Sequence, residues 1–428
     1  MSPRRFRRFQ PFPRPFAGRR LPRELRGQSV VRLAQQLPEG VRDPGFEILL
    51  RRIDGAPMLG GNEVEVYVHG EDAFAAMREA VSSACREILL ESYIYKDDAT
   101  GRAFLEDLAA AAARGVRVKV LADALGSFST RSAFWREMEM HGIESRLFNP
   151  LFKKLWYQPF RDHRKILVVD GRVAFTGGMN IGEEYGSAPT LGTTPTKPGS
   201  TWRDTHLRVI GPTAWEMAIV FAESWVQAEG SPLDLPALDA QRAEAPGSRI
   251  LVLDSRPKRG QAESAAALAA IVGAARRSVW VTNAYFAPGW AGVRILGQAA
   301  ARGVDVRLLL PGLTDVPIVR HAGHGYFSRL LRRGVRIFEY QGSILHAKSL
   351  VADGHVSVVG STNLDFRSFL FNAECDLLVL CDKTAQRLEE VFTADLESAE
   401  EIRRSDWKRR KPLHRAADRM ARWLAPVL

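Results

Sequence analysis

The chain has 428 residues, 46% of them hydrophobic and 25% charged, which leaves room for two folded units and excludes a body that is disordered throughout. Its three cysteines, Cys85, Cys375 and Cys381, have neither Cys-x-x-Cys spacing nor the density of a disulfide scaffold, so a reducing compartment and no structural zinc are expected. The net charge of +11 sits at the ends: residues 1–28 hold nine Arg against one Glu and residues 402–428 nine Lys or Arg against two Asp, leaving about −4 for the body.

In chain order, the N-terminal stretch is Arg-rich. Arg4-Arg5 is followed by Phe, Pro and Arg rather than an apolar segment, so neither an export signal nor a membrane span is expected there or in any later window. A first helix-to-strand step is predicted where Ala111-Ala112-Ala113-Arg114-Gly115-Val116 leads into a β-branched run to Leu121, and the phrase returns as Ala299-Ala300-Ala301-Arg302-Gly303-Val304 before a run to Leu310. An opening strand precedes each step, Arg86 to Tyr93 and Arg277 to Ala284, and a second helix end follows it, His141-Gly142-Ile143 and Arg333-Gly334-Val335. Paired positions are offset by 183 to 192 residues, the drift that loop insertions produce. Two α/β halves with mixed sheets are therefore expected, joined by the Pro- and Ala-rich stretch Gly230–Gly247.

Each half next carries one phrase: His163-Arg164-Lys165 running to Asp170-Gly171, and His346-Ala347-Lys348 running to Asp353-Gly354. Both read as a strand closed by a tight hairpin turn, with His and Lys at i and i+2 on one face. The return strands, Val173–Thr176 and Val356–Val359, lead to Gly177-Gly178-Met179-Asn180 and Gly360-Ser361-Thr362-Asn363. An imidazole, an ammonium and a carboxamide from each half suit a phosphodiester, supplying a nucleophile or acid, a point charge and a neutral donor. Neither His-x-Lys offers the second ligand that a metal needs, so no metal or other cofactor is expected. Asp170 and Asp353 stand where turns favour Asp for structure alone, and they are kept as candidates for direct participation.

These paired phrases resemble the duplicated His-Lys-Asp motif of the phospholipase D superfamily, over roughly Gly60 to Leu380. The Gly177-Gly178-Met179-Asn180 variant, Leu345 before the second His and the basic C-terminus are most similar to the bacterial cardiolipin synthases that lack N-terminal membrane spans. That resemblance implies an α/β fold of two homologous halves, each a mixed sheet flanked by helices, packed as a pseudo-twofold pair around one active site. The implied segments are 1–59 (basic lead-in), 60–229 (first half, motif 163–180), 230–256 (linker), 257–398 (second half, motif 346–363) and 399–428 (basic amphipathic tail). It further implies one carboxylate per half behind the histidines. Glu374 fits in the second half, and Asp204 in the first if Gly186–Ser200 is an inserted loop. His163 is then the nucleophile and His346 the general acid.

The implied activity is transfer of a phosphatidyl group to phosphatidylglycerol, from that lipid or from phosphatidylethanolamine. A phospholipid hydrolase shares every catalytic residue. A nuclease of the same superfamily is the remaining alternative, although simple ones carry a single motif and dimerise. Nucleic acid is not an expected partner. The basic ends fit an anionic membrane surface, where each Lys or Arg gains about 1 kcal/mol, so peripheral attachment to the cytoplasmic face of a bacterial membrane is expected. Leu151–Tyr157 and a stripe of Leu413, Ala417, Met420, Leu424 and Val427 are the segments expected to meet lipid. His321 and His324, near Tyr326, are carried as possible acceptor-pocket residues.

Overall fold

The computed structural model describes residues 23–150, 159–186, 202–235, 237–238, 240–256 and 263–424. The expectations for residues 1–22, Leu151–Tyr157, the inserted loop after Gly186 and Val427 lie outside the described residues. Its strands are β1 (Leu59–Tyr67), β2 (Glu87–Ser92), β3 (Arg117–Asp123), β4 (Glu144–Phe148), β5 (Arg161–Asp162), β6 (Lys165–Val169), β7 (Val173–Gly177), β8 (His206–Ile210), β9 (Ser248–Ser255), β10 (Ser278–Asn283), β11 (Asp305–Leu313), β12 (Arg336–Ile344), β13 (Lys348–Ala352), β14 (Val356–Gly360), β15 (Asn372–Leu380) and β16 (Ala399–Glu401).

The sheet runs β16-β12-β11-β10-β13-β14-β15-β9-β1-β8-β7-β6-β2-β3-β4. Read outward from the middle, β1-β8-β7-β6-β2-β3-β4 repeats as β9-β15-β14-β13-β10-β11-β12, so the halves share one topology. The equivalent strands β1 and β9 meet antiparallel, as a twofold axis between them requires. Within each half three strands are parallel and the motif strand enters antiparallel, between β2 and β7 or between β10 and β14. Residues 248–255, expected within the linker, form β9, the counterpart of β1; the linker's Pro and Ala composition ends at Gly247.

The helix ends are built as their sequences require. Gly115 and Gly303 adopt φ of +90° and +93°, and the following Val116 and Val304 each donate back to Ala111 and Ala299 at 3.2 Å, closing the two copies with the same left-handed cap. All five residues of β6 are buried, which explains its near-continuous apolar run: helices cover both faces. One core lies under the outer helices of the first half, including Phe104, Leu108 and Phe134. Another lies under those of the second half, and it takes in the lead-in helices Gly27–Gln35 and Pro44–Asp54 through Val31, Phe46 and Leu50. A third core is shared: Ile166, Val168 and Val209 meet Val359, Leu377 and Val379 around helix Thr213–Gln227. Burial of this kind is worth about 1.5–3 kcal/mol per large side chain, so the halves are held by a continuous apolar interior.

Helix Pro412–Leu424 docks on helix Pro317–Arg332. Asp418 and Ala421 face inward, while Leu413, Met420 and Trp423 are exposed. The exposed stripe is thus narrower than the one read from spacing, because Ala417 and Leu424 are half-buried against the protein. Asp418 accepts from Nδ1 of His321 at 2.8 Å and from Arg410 at 2.8 Å, and Nε2 of His324 meets Glu339 at 2.7 Å. His321 and His324 therefore belong to the seat of the C-terminal helix. Among the described residues no helix is long and apolar enough to cross a membrane.

Candidate active site

The two motif strands run antiparallel to their parallel neighbours, which brings both histidines to the end of the sheet where β3 and β11 finish. The histidines themselves precede the strands expected to hold them. The two residues before His163 form β5, which pairs in parallel with Asn372 and Ala373 of the other half, and the His163 amide donates to the Ala373 carbonyl at 2.9 Å. The second copy does the same: Arg203 bridges Leu345, and the His346 amide donates to the Arg203 carbonyl at 2.8 Å. Each histidine is thereby stitched to the opposite half.

Its carboxylate comes from that half as well. Nδ1 of His163 lies 2.9 Å from Oε2 of Glu374, and Nδ1 of His346 lies 2.6 Å from Oδ2 of Asp204. All four side chains are buried. A carboxylate only accepts, so both Nδ1 atoms carry the proton and both Nε2 atoms keep a lone pair. Glu374 also accepts from Ser361 Oγ at 2.5 Å and Asn372 Nδ2 at 3.2 Å. Asp204 accepts from the Thr205 amide at 2.7 Å, and the neighbouring Arg203 is clamped by Asp395 at 3.0 and 2.7 Å.

Asp204 and Glu374 occupy equivalent places on the repeat, yet differ by a methylene, and the residue beneath each differs to match. A Cβ on Gly178 would stand 2.1 and 2.5 Å from the Asp204 oxygens, so the shorter acid needs glycine there. Under Glu374 the equivalent residue is Ser361, whose hydroxyl becomes a donor.

Lys165 and Lys348 are buried beside the histidines, each donating to the carbonyl of its own His, Lys165 at 2.5 Å. Lys348 Nζ also approaches His346 Nδ1 at 2.9 Å; since that nitrogen's proton points to Asp204, this is a charge contact. Burial draws Lys165 down to about 7 against the pull of Glu374, and Lys348 down to about 8 against Asp204 and Glu374. Burial also lowers His163, and with Lys348 it lowers His346 to about 3, which favours the neutral form of both imidazoles. Burial pushes the two acids up, but their partners win: the Lys348 charge and the His346 hydrogen bond hold Asp204 below its ordinary value, and the His163 hydrogen bond and the Lys165 charge do so for Glu374.

Asn180 spends its carbonyl on the Ile94 amide at 3.1 Å and an N–H on Tyr185 at 2.7 Å. The Asn363 side-chain oxygen is buried without a hydrogen-bond partner. Asp170 and Asp353 lie at the far end of β6 and β13, roughly 20 Å from the histidines at the rise of a strand. Both adopt φ of +53°. Asp170 caps the amides of Cys85, Arg86 and Glu87 at 2.8–2.9 Å, and Asp353 those of Arg276, Arg277 and Ser278 at 2.8–2.9 Å. The expectation that they take part directly is corrected by this placement: they pin a turn to the start of the neighbouring strand. Sequence reasoning missed the aromatic wall, in which Tyr93 lies 5.0 Å from His163 and Trp202, Tyr185 and Tyr285 lie 4.9, 5.5 and 6.0 Å from His346, ring to ring. The adjacency of Trp202 to Arg203-Asp204 was its one visible signal.

Residues 77–186 and 268–396 match the family described as cardiolipin synthase, PLD-like domain, one segment over each half. The chain belongs to the cardiolipin synthase family of PLD-like proteins. It is 36% identical over 383 residues to cardiolipin synthase A of Pseudomonas syringae, covering 88% of this chain and 77% of that protein. Cardiolipin synthase 1 of Bacillus anthracis is 31% identical over 435 residues, covering 99% and 84%. Among solved structures, phosphatidylserine synthase of Haemophilus influenzae superposes with a TM-score of 0.68 at 11% identity over 90% of this chain and 98% of that one. That likeness shows the fold, two PLD-like halves sharing a mixed sheet. Membership in this family makes the chain a phosphatidyltransferase.

Proposed function

We propose that the chain is a cardiolipin synthase in which Nε2 of His163 attacks the phosphorus of a donor phospholipid while His346 protonates the departing headgroup oxygen. The phosphatidyl group then rests on His163 as a phosphohistidine. His346, now neutral, takes the proton from a hydroxyl of phosphatidylglycerol as that oxygen attacks, giving cardiolipin and restoring both imidazoles. When the donor is phosphatidylglycerol the alcohol released is glycerol. The single observation that carries the reading is the crossed pair of carboxylate-held imidazoles, which leaves two lone pairs on one site.

Burial and Lys348 draw His346 down to about 3, so the acid role requires the imidazole to take up a proton from solvent as the anionic phosphodiester, placed beside it, favours its cation. Lys165 and Lys348, with the remaining amide protons of Asn180 and Asn363, would hold the nonbridging oxygens. Each such donor is worth about 3 to 4 kcal/mol where charge builds. Peripheral attachment to an anionic bacterial membrane, on its cytoplasmic face, is part of the same reading; its support is the basic ends and the exposed Leu413, Met420 and Trp423.

Purified protein incubated with labelled phosphatidylglycerol should form cardiolipin and free glycerol, and added phosphatidylethanolamine should raise the yield if it also serves as donor. Phosphatidic acid as the sole labelled product would make water the acceptor and the chain a hydrolase.

A further inference from the structure

Of the twelve large apolar side chains exposed among the described residues, five stand near the histidines. Leu125 and Phe128 follow β3, and Leu313 and Ile318 stand at the end of β11 and in the helix after it. Strands β3 and β11 are the same strand of the repeat, so the two pairs are related by the pseudo-twofold. Leu370 stands just before β15. Phe128 is 72% exposed, and the other four 39–44%.

Each is a short step from a histidine. The turn holding Phe128 wraps Tyr93: Ser127 Oγ donates to the Tyr93 carbonyl at 3.2 Å, and the Tyr93 ring is 5.0 Å from that of His163. Between Leu313 and Ile318, Asp315 accepts from the Tyr285 hydroxyl at 2.8 Å, and the Tyr285 ring is 6.0 Å from that of His346. Leu370 lies two residues before Asn372, a donor to Glu374. Exposed apolar groups collected around a buried polar site mark a surface that binds something.

We propose that these five side chains form a twofold collar around the site's mouth and that its occupant is the surface of a phospholipid bilayer containing anionic lipid. The identity of the substrate within that bilayer rests on the phosphatidyl-transfer reading above. Charge accompanies the apolar groups: Arg131 stands three residues after Phe128 and Arg367 three before Leu370, whereas Arg320, two after Ile318, is paired with Glu339 at 2.7 Å. Apolar insertion with flanking cations is the combination that anionic interfaces reward. Both histidines are buried, so a diacyl lipid reaches them only if its phosphate descends into the site while its chains keep apolar company at the rim. A twofold rim serves two lipids, one before each histidine.

The test is co-sedimentation with vesicles of phosphatidylglycerol mixed with phosphatidylcholine. Phe128→Ser and Leu313→Ser should each weaken binding about tenfold, the effect of removing roughly one large apolar contact. Ile48→Ser should leave binding unchanged, because this exposed residue lies on helix Pro44–Asp54, which packs on helix Glu263–Ala274. Phe128→Leu should restore most of the loss, and turnover of a short-chain, monomeric phosphatidylglycerol should be retained in all of them. The collar is refuted if the Phe128→Ser, Leu313→Ser double variant, melting like the parent, binds vesicles like the parent, or if Phe128→Leu binds no better than Phe128→Ser. Collar-dependent binding by a parent that transfers no phosphatidyl group would instead overturn the proposed reaction and leave the docking surface standing.

Discussion

Changing Glu374 to Gln and Asp204 to Asn distinguishes a crossed pairing from one in which each half serves its own histidine. Oε2 of Glu374 takes two donors, His163 at 2.9 Å and Ser361 at 2.5 Å, and Oε1 takes Asn372 at 3.2 Å. A carboxamide has one oxygen for these two positions. If its NH2 faces Asn372, a buried donor meets a donor, at a cost of about 1–3 kcal/mol. If it faces His163, the imidazole adopts the other tautomer and Nε2 loses the lone pair that attacks phosphorus. Either way the charge that stabilises the imidazolium is lost, and by analogy with other carboxylate–imidazole pairs the penalty is on the order of 10⁴ in rate, about 5 kcal/mol. The assay is a rapid-quench burst of phosphoenzyme from short-chain phosphatidyl-p-nitrophenol, whose leaving group needs no proton, with the label mapped to His163 in the parent. Glu374→Gln should slow the burst by 10³ to 10⁴. Asp204→Asn should form phosphoenzyme at near the parent rate and discharge it slowly. A burst lost in Asp204→Asn but kept in Glu374→Gln refutes the crossing, whereas label on His346 refutes the division of roles.

Gly178→Ala should lower turnover roughly a hundredfold by driving the Asp204 carboxylate off His346, consistent with the 2.1 Å approach and a misplacement of about 1 Å; parent-like kinetics would remove the steric argument. Turnover should survive EDTA, because both Nδ1 atoms are committed to carboxylates and two lysines flank them; complete, reversible loss would count against the chemistry. Docking of helix Pro412–Leu424 should weaken on the alkaline side. Burial lowers His324, but the hydrogen bonds it donates to Asp418 and Glu339 more than offset it and raise its pKa above 6.5. The stability it lends is therefore complete below pH 6.5 and is lost as pH rises through the elevated value. Arg320, Arg410 and His321 face the same cluster. Hydrogen exchange across residues 412–424 should speed up over that range, and a flat profile sinks the assignment.

The repeat and the two motifs were legible because both are local: a glycine cap, a β-branched run and an Asp-Gly turn declare themselves within a dozen residues. The carboxylates were legible only through the family resemblance, and not as partners. Nothing near Asp204 or Glu374 says that each serves the distant imidazole, since that depends on the parallel bridges from Arg161-Asp162 to Asn372-Ala373 and from Arg203 to Leu345. Asp170 and Asp353 show the reverse: their turn position in a repeated motif left direct participation open, while their positive φ and three amide partners apiece give them work at the other end of the strand. The start of strand β9 at Ser248 is hidden in the sequence because it follows directly on the Pro- and Ala-rich stretch.

The antiparallel meeting of β1 with β9 bears on what either half would do alone. Each would present a free strand edge, a row of unpaired amides and carbonyls, beside the apolar faces now shared around helix Thr213–Gln227. Such an edge recruits another of its kind. For a lone first half the fitting neighbour is a second copy, whose Asp204 would stand where Glu374 stands now. Tethering the two halves in one chain replaces that encounter with an intramolecular one at an effective concentration of roughly millimolar order, and frees the two copies of the site to diverge: Asp over glycine on one side, Glu over serine on the other.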